Sequence, residues 1–239
     1  QGRFGRHIFF LVPMSPRHAT SGLKFDWGVS HTKAQNKNSL AFVFGDMHEP
    51  YLTRLADLTS STAKDVSATH VVGIGYSMGG FGIYQLAAHR PDIFSVAVPI
   101  AGYGLGTLEE TEAGYNAPQP EASQVFARFL DVYAPKLAEV SKLLIVHARR
   151  DSVSSFQDAS HIFERVRQAG GNAELLVVPD DRADSDRLKS RKRKKSKAGH
   201  NYYHHTLLDE DTSDFFYRRV RAHIEGEVEE SARTAPVYI

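Results

Sequence analysis

Six short runs of consecutive apolar residues constrain this chain most: His7–Val12, Leu40–Phe44, His70–Ile74, Phe94–Ile100, Leu143–His147 and Glu174–Val178. A strand with one face in water alternates apolar and polar side chains, whereas a strand covered on both faces has no need to. The stretches between the runs are amphipathic. The pattern predicts an α/β fold, a mostly parallel sheet with helices on both faces. Tyr51, Leu52, Leu55 and Leu58 recur at helical spacing behind Pro50, which suits a first helical turn. Phe156, Ile162, Phe163 and Val166 mark a second helix that Gly170 and Gly171 should stop. Ser213 is the expected N-cap of a last helix burying Phe216, Val220 and Ile224. Between Tyr103 and Ala138 the pattern is less regular. Val125, Phe126, Phe129 and Leu130 suggest a helix that Pro135 ends or kinks, and we read 103–138 as a cap region over a site.

With 239 residues the chain can bury a core of its own, and we read 1–239 as a single domain. Fourteen Phe and ten Tyr are too many for a disordered chain, and no apolar run approaches the length of a membrane span. There is no cysteine, which excludes disulfides, thiolate metal sites and a cysteine nucleophile. The first residue is Gln1 and no signal peptide is visible, so the chain reads as trimmed or partial.

The segment Gly75-Tyr76-Ser77-Met78-Gly79 follows one of the apolar runs and precedes a helical stretch, Phe81–His89. It fits G-x-S-x-G in the strand–turn–helix context that motif requires. A sharp turn of this kind lifts the hydroxyl of Ser77 clear of the sheet, and glycines keep side chains out of its way. The backbone N–H of Met78 would then face a developing oxyanion. A serine needs a base, and the base needs an orienting carboxylate. Asp151 stands just after the buried run Leu143–His147, at a strand end where the groups of a parallel sheet collect. It is the expected acid, with Asp180 and Asp181 in reserve. Among the histidines after it, His161 and His223 fall in helical patterns, while His204 and His205 read as surface or helix lead-in. His200, in the loop Ala198-Gly199-His200-Asn201, is the expected base. Tyr76 and Asn201 are candidate substrate contacts.

The stretches Gly75-Tyr-Ser-Met-Gly-Gly-Phe-Gly-Ile-Tyr84, His89-Arg-Pro-Asp-Ile-Phe94, Val98-Pro-Ile-Ala-Gly102 and Leu144-Ile-Val-His-Ala-Arg-Arg-Asp151, with Gly170-Gly-Asn-Ala-Glu174 and Gly199-His200-Asn201, resemble the alpha/beta-hydrolase esterases of the phospholipase/carboxylesterase and predicted-peptidase type. The resemblance covers roughly positions 70 to 225. It implies the alpha/beta-hydrolase fold and a triad of Ser77, Asp151 and His200, the three residues already reached from their chemistry. Relatives usually carry Gly where Ala148 stands and a Val-Pro pair near Val153-Ser-Ser155. They also carry a His-Gly loop after an early strand, which donates the second oxyanion N–H, and this chain has none. If His7–Pro16 corresponds to the strand after that loop, the register we favour, the N-terminal strands of the fold are lacking and the loop lies upstream. In the other register Met14 or Ser15 would donate, while Pro13 has no N–H.

The net charge of +1 conceals one further feature. Eight basic residues lie between Arg187 and Lys197, so that leaving them out puts the remainder of the chain at −7. Positions 182–197 read as an inserted, solvated, mobile loop, with a polyanion or protein partner as its functional reading. The expected activity is that of a serine hydrolase cleaving a small carboxylic ester, with no metal and no organic cofactor. The competing readings are a non-catalytic alpha/beta-hydrolase-fold subunit of an assembly and a small-substrate peptidase or thioesterase. Acyl-transfer machinery is common to the hydrolase readings, so its residues do not separate them.

Overall fold

The computed structural model describes residues 8–13, 29–33, 41–47, 49–102, 108–110, 114–115, 120–151, 154–178, 200, 210–225 and 237–238. Four of the six apolar runs form four adjacent strands of one sheet. Its strands are β3 (Val72–Tyr76), β4 (Val96–Ile100), β7 (Leu143–Ala148), β8 (Ala173–Val178) and β9 (Val237–Tyr238), hydrogen-bonded in that order and all parallel. Every residue of β4, β7 and β8 is buried, the signature of a sheet covered on both faces. Successive side chains go to opposite sides. Ala97, Leu143, Ile145, Leu175 and Val177 join one core with Phe81, Tyr84, Leu137 and Ile162. Val96, Val98, Ile100, Leu144, Val146 and Leu176 join the other with Phe216 and Val220.

The first core is closed by α1 (Glu49–Asp65), α2 (Met78–His89), α3 (Pro120–Ala138) and α4 (Phe156–Gln168), and the second by α5 (Glu210–Glu225). Pro50 lies in the first turn of α1, where its missing N–H costs nothing. Ser155 caps α4 by accepting from the Asp158 N–H at 3.2 Å, and Gly170, at φ 85°, lies just past its end. A Cβ on Gly171 would lie 2.6 Å from the Cα of Ala138, so the ends of α3 and α4 meet there backbone to backbone.

Several expectations are corrected. Leu40–Phe44 does form a strand, β2 (Ala41–Met47), but outside the parallel sheet. It pairs antiparallel with β1 (Val29–Lys33) and with β5 (Leu108–Glu110), which pairs in turn with β6 (Gly114–Tyr115). Residues 8–13 have no regular structure and Ile8–Val12 are exposed. Apolar, β-prone composition makes a strand only where a ladder partner exists. Pro135 does not end α3: the helix runs on to Ala138, because Ala134, Leu137 and Val140 around it are buried in the first core. The last helix begins at Glu210 rather than after Ser213. The basic tract lies outside the described residues. Within them, no helix is long and apolar enough to cross a membrane.

Candidate active site

The C-terminal ends of β3, β4 and β7 converge on three polar side chains. Ser77 follows β3 directly and starts the turn into α2. Its backbone is held at φ 57° and ψ −116°, a left-handed conformation that a non-glycine residue adopts only when its surroundings impose it. The restraint is visible: the Ser77 N–H donates to the Ile100 carbonyl at the end of β4 at 2.8 Å, and the Phe81 N–H donates to the Ser77 carbonyl at 3.0 Å. A Cβ on Gly75 would fall 2.0 Å from the Gly79 carbonyl oxygen, so a glycine is required there. The position of Gly79 is different, since a Cβ built on it meets nothing within 4 Å. The elbow thus needs glycine before the serine, and the crowding that the motif suggests after it falls on Gly80, whose Cβ would lie 2.8 Å from the Cα of Gly102.

Asp151 follows β7 after a two-residue turn closed by its own N–H on the Ala148 carbonyl at 3.3 Å. Both carboxylate oxygens lie against Nδ1 of His200, at 2.8 and 2.9 Å. Nε2 of the same ring is 3.0 Å from Oγ of Ser77. A carboxylate only accepts, so Nδ1 carries a hydrogen, and in the neutral ring Nε2 is the acceptor for the Ser77 hydroxyl. Burial alone would raise the Asp151 carboxyl. The His200 hydrogen bond, the nearby His147 and the Ser154 N–H outweigh it and hold Asp151 below the ordinary carboxylate range. His200 is itself buried. The hydroxyl of Tyr76 donates to its backbone carbonyl at 2.9 Å, and the two rings pack with centroids 5.3 Å apart.

The structure therefore brings Ser77, His200 and Asp151 into one chain of hydrogen bonds at the C-terminal ends of β3 and β7. Met78 is the first residue of α2, so its N–H belongs to the helix-terminal donors that have no carbonyl one turn earlier. His161 lies on α4 with its ring beside Phe126, and His223 on α5 bonds Glu174; neither is near this chain of bonds. Met14, Asn201, Asp180, Asp181, His204 and His205 lie outside the described residues. Two neighbours of the acid were missed by sequence reasoning, His147 and Ser154. Their only signals are a polar residue within a buried apolar run and a serine three positions after the carboxylate. Among the described residues, no group of three or more His, Asp or Glu side chains is arranged to hold a metal ion.

The model of the prolyl oligopeptidase family matches residues 53–206, well over half of the chain and a stretch that contains Ser77, Asp151 and His200. Dipeptidyl-peptidase 5 of Porphyromonas endodontalis is 26% identical over 187 residues, covering 72% of this chain and 25% of that protein. The chain thus spans about a quarter of the length of this relative. Among solved structures, Est1E from Butyrivibrio proteoclasticus is similar with 16% identity and a TM-score of 0.43, over 72% of this chain and 70% of that one. The acylaminoacyl peptidase of Pyrococcus horikoshii is similar with 10% identity and a TM-score of 0.42, over 74% and 27%. The chain belongs to the prolyl oligopeptidase family, serine hydrolases of the alpha/beta-hydrolase superfamily.

Proposed function

We propose that this chain hydrolyses small carboxylic esters through an acyl-enzyme on Ser77. The observation that carries the reading is the hydrogen-bond chain from Ser77 Oγ to His200 Nε2 at 3.0 Å and from His200 Nδ1 to Asp151 at 2.8 Å. In the proposed reaction Ser77 Oγ attacks the carbonyl carbon while His200 Nε2 takes the hydroxyl proton. The resulting imidazolium gives that proton to the leaving alcohol as the C–O bond breaks. Water then attacks the acyl-enzyme, His200 takes a proton from it, and Ser77 leaves with that proton restored. Asp151 keeps the ring in the Nδ1–H tautomer and stabilises the imidazolium. The Met78 N–H is the proposed donor to the oxyanion, at the N-terminus of α2.

A second reading, cleavage of short peptides, is favoured by the similarity to a dipeptidyl-peptidase. The two are separable because a triad able to expel an amine expels a good alkoxide leaving group more readily. Ester turnover is expected under either reading, and amide turnover only under the second. The test is to assay the wild-type chain on a short p-nitrophenyl ester and on a dipeptidyl p-nitroanilide, and to map the adduct of a fluorophosphonate probe by mass spectrometry. We expect ester hydrolysis and a single adduct on Ser77. No adduct and no turnover of either substrate would leave the non-catalytic subunit as the surviving reading.

The basic tract Arg187–Lys197 is proposed to contact a polyanionic partner, on the ground of its charge density. Replacing positions 182–197 by a short Gly-Ser link is expected to abolish retention on heparin at low salt and to leave turnover of a neutral ester unchanged. Stability should alter little, since closure entropy changes by roughly 0.6 kcal/mol per doubling of loop length. Undiminished heparin retention in the replaced chain would remove the partner reading.

A further inference from the structure

Behind the acid lies a buried polar pair that the proposed reaction does not use. Ser154 and His147 are both fully buried. Oγ of Ser154 is 2.8 Å from Asp151 Oδ2, 3.0 Å from the Ala101 carbonyl and 3.2 Å from His147 Nε2, while its N–H donates to Asp151 Oδ1 at 3.0 Å. We propose that Ser154, seated on His147, is a positioning residue that aims the Asp151 carboxylate at His200. The inference deepens the reaction proposed above and rests on it for its catalytic consequence.

Counting hydrogens assigns the roles. His147 Nε2 is 3.1 Å from the Ser154 carbonyl, which can only accept, so Nε2 carries the hydrogen and His147 is a donor on that side. The Ser154 hydroxyl has one proton and two acceptors in reach, the Ala101 carbonyl and the Asp151 carboxylate. The bond to an ionised acceptor is the stronger, so the proton goes to Asp151. The carboxylate then holds two donors from Ser154, one on each oxygen, and turns its remaining capacity to His200 Nδ1. Rotation of the carboxylate would break both Ser154 bonds together. Asp151 faces two titratable side chains, His200 from its loop and His147 from β7, at 3.6 Å from Oδ2. Burial lowers the His147 pKa against the opposing pull of the Asp151 charge, and so disfavours a second imidazolium beside the carboxylate.

Ser154 also sits at the strand end that holds the serine. Its Oγ lies against the Ala101 carbonyl, one residue beyond the Ile100 carbonyl that receives the Ser77 N–H. The end of β4 is a shared anchor, and Ala101, at φ 48°, is itself held in a left-handed turn there.

The test compares Ser154→Ala, Ser154→Cys and Ser154→Thr with the wild type, all checked for folding by circular dichroism. Turnover of the short ester is followed as kcat and KM separately. The ionisation of Asp151 is followed independently by carboxyl 13C NMR of aspartate-labelled protein. In Ser154→Ala, kcat should fall roughly tenfold with KM within about twofold, the effect of losing about one charged hydrogen bond. The Asp151 carboxyl should titrate about one pH unit higher, because a donor to its ionised form is gone. Ser154→Cys, which keeps the volume and loses the strong donor, should behave like Ser154→Ala and carries the test if the alanine variant does not fold. Ser154→Thr keeps the hydroxyl and should restore both quantities. An unmoved Asp151 titration in Ser154→Ala or Ser154→Cys would overturn the proposal, as would an equal loss of kcat in all three variants. The titration requires no turnover, so a wild type that hydrolyses nothing would sink the proposed reaction while the NMR still decides this inference.

Discussion

Ser77→Ala is expected to lower kcat on a short activated ester by about a millionfold while leaving the circular dichroism spectrum and Tm at wild-type values. The size follows from the way a nucleophile, its base and the orienting acid act as a unit: removing the nucleophile leaves only binding and the oxyanion donor. The fold should survive because the backbone asks for nothing that serine alone supplies. The left-handed φ of 57° is as costly for serine as for alanine, and it is imposed through the Ile100 carbonyl and the Gly75–Gly79 contact, which alanine keeps. The substitution removes the side-chain bond to His200 Nε2. Kinetics with an activated ester, alongside the fluorophosphonate adduct, measure this directly. A folded variant retaining more than roughly a few per cent of turnover would show that another group attacks, because residual catalysis without a nucleophile lies orders of magnitude lower.

How much of such a site is legible in the amino-acid sequence depends on how local its determinants are. The elbow is local: an apolar run, a glycine before the serine and a helical stretch sit within the twenty residues from His70 to His89, and each has its own sequence signal. Asp151 is legible because a buried run ends just before it, and His200 because chain order and a neighbouring glycine leave few rivals. The pair of Ser154 and His147 is not legible, since its role arises only where the end of β7 meets the turn after it and the end of β4. In the string of letters His147 is a polar interruption of an apolar strand. Strand membership shows the same division. His70–Ile74, Phe94–Ile100, Leu143–His147 and Glu174–Val178 correspond to β3, β4, β7 and β8, because burial on both faces leaves a continuous apolar run. Leu40–Phe44 looks alike in sequence, yet it joins an antiparallel sheet, because a run encodes burial and not the identity of its neighbours. The two-residue β9 is too short to carry any periodicity.

Glu174→Leu is expected to destabilise the protein by about 3–5 kcal/mol at pH 8, a large part of the 5–15 kcal/mol typical of a folded chain. Glu174 is the second residue of β8, fully buried in an otherwise apolar strand and facing α5. Its carboxylate accepts from Arg219 Nε at 2.7 Å and from His223 Nε2 at 3.0 Å, one turn apart on α5, and lies 3.5 Å from Lys142 Nζ. Leucine would match the strand, but it would leave Lys142 buried without this carboxylate, Arg219 and His223 without their shared acceptor, and α5 without its polar tie to the sheet. The cost comes from stranding the Lys142 and Arg219 cations and the His223 donor, since an ion pair replaced whole by apolar groups is often neutral. Glu174→Gln, which still accepts from Arg219, should cost less. The pH dependence has a definite sign. Burial alone would raise the Glu174 carboxyl, but His223, Arg219 and Lys142 bring it below its ordinary value, so its contribution is present above about pH 4.3 and is lost as pH falls through the lower folded value. His223 is lowered by burial, which outweighs the carboxylate beside it. Below about pH 6.5 the unfolded chain therefore takes up this proton first, and stability falls as pH drops through that region toward the folded value. Urea midpoints for the wild type should decline in two stages, one beginning below about pH 6.5 and one below about pH 4.3, and Glu174→Leu should show a smaller second stage, with the part that comes from Asp151 remaining. A Glu174→Leu variant as stable as wild type at pH 8 would mean that α5 is held by its apolar face, Phe216, Val220, Tyr217 and Ile224, with the charged cluster contributing nothing to its docking.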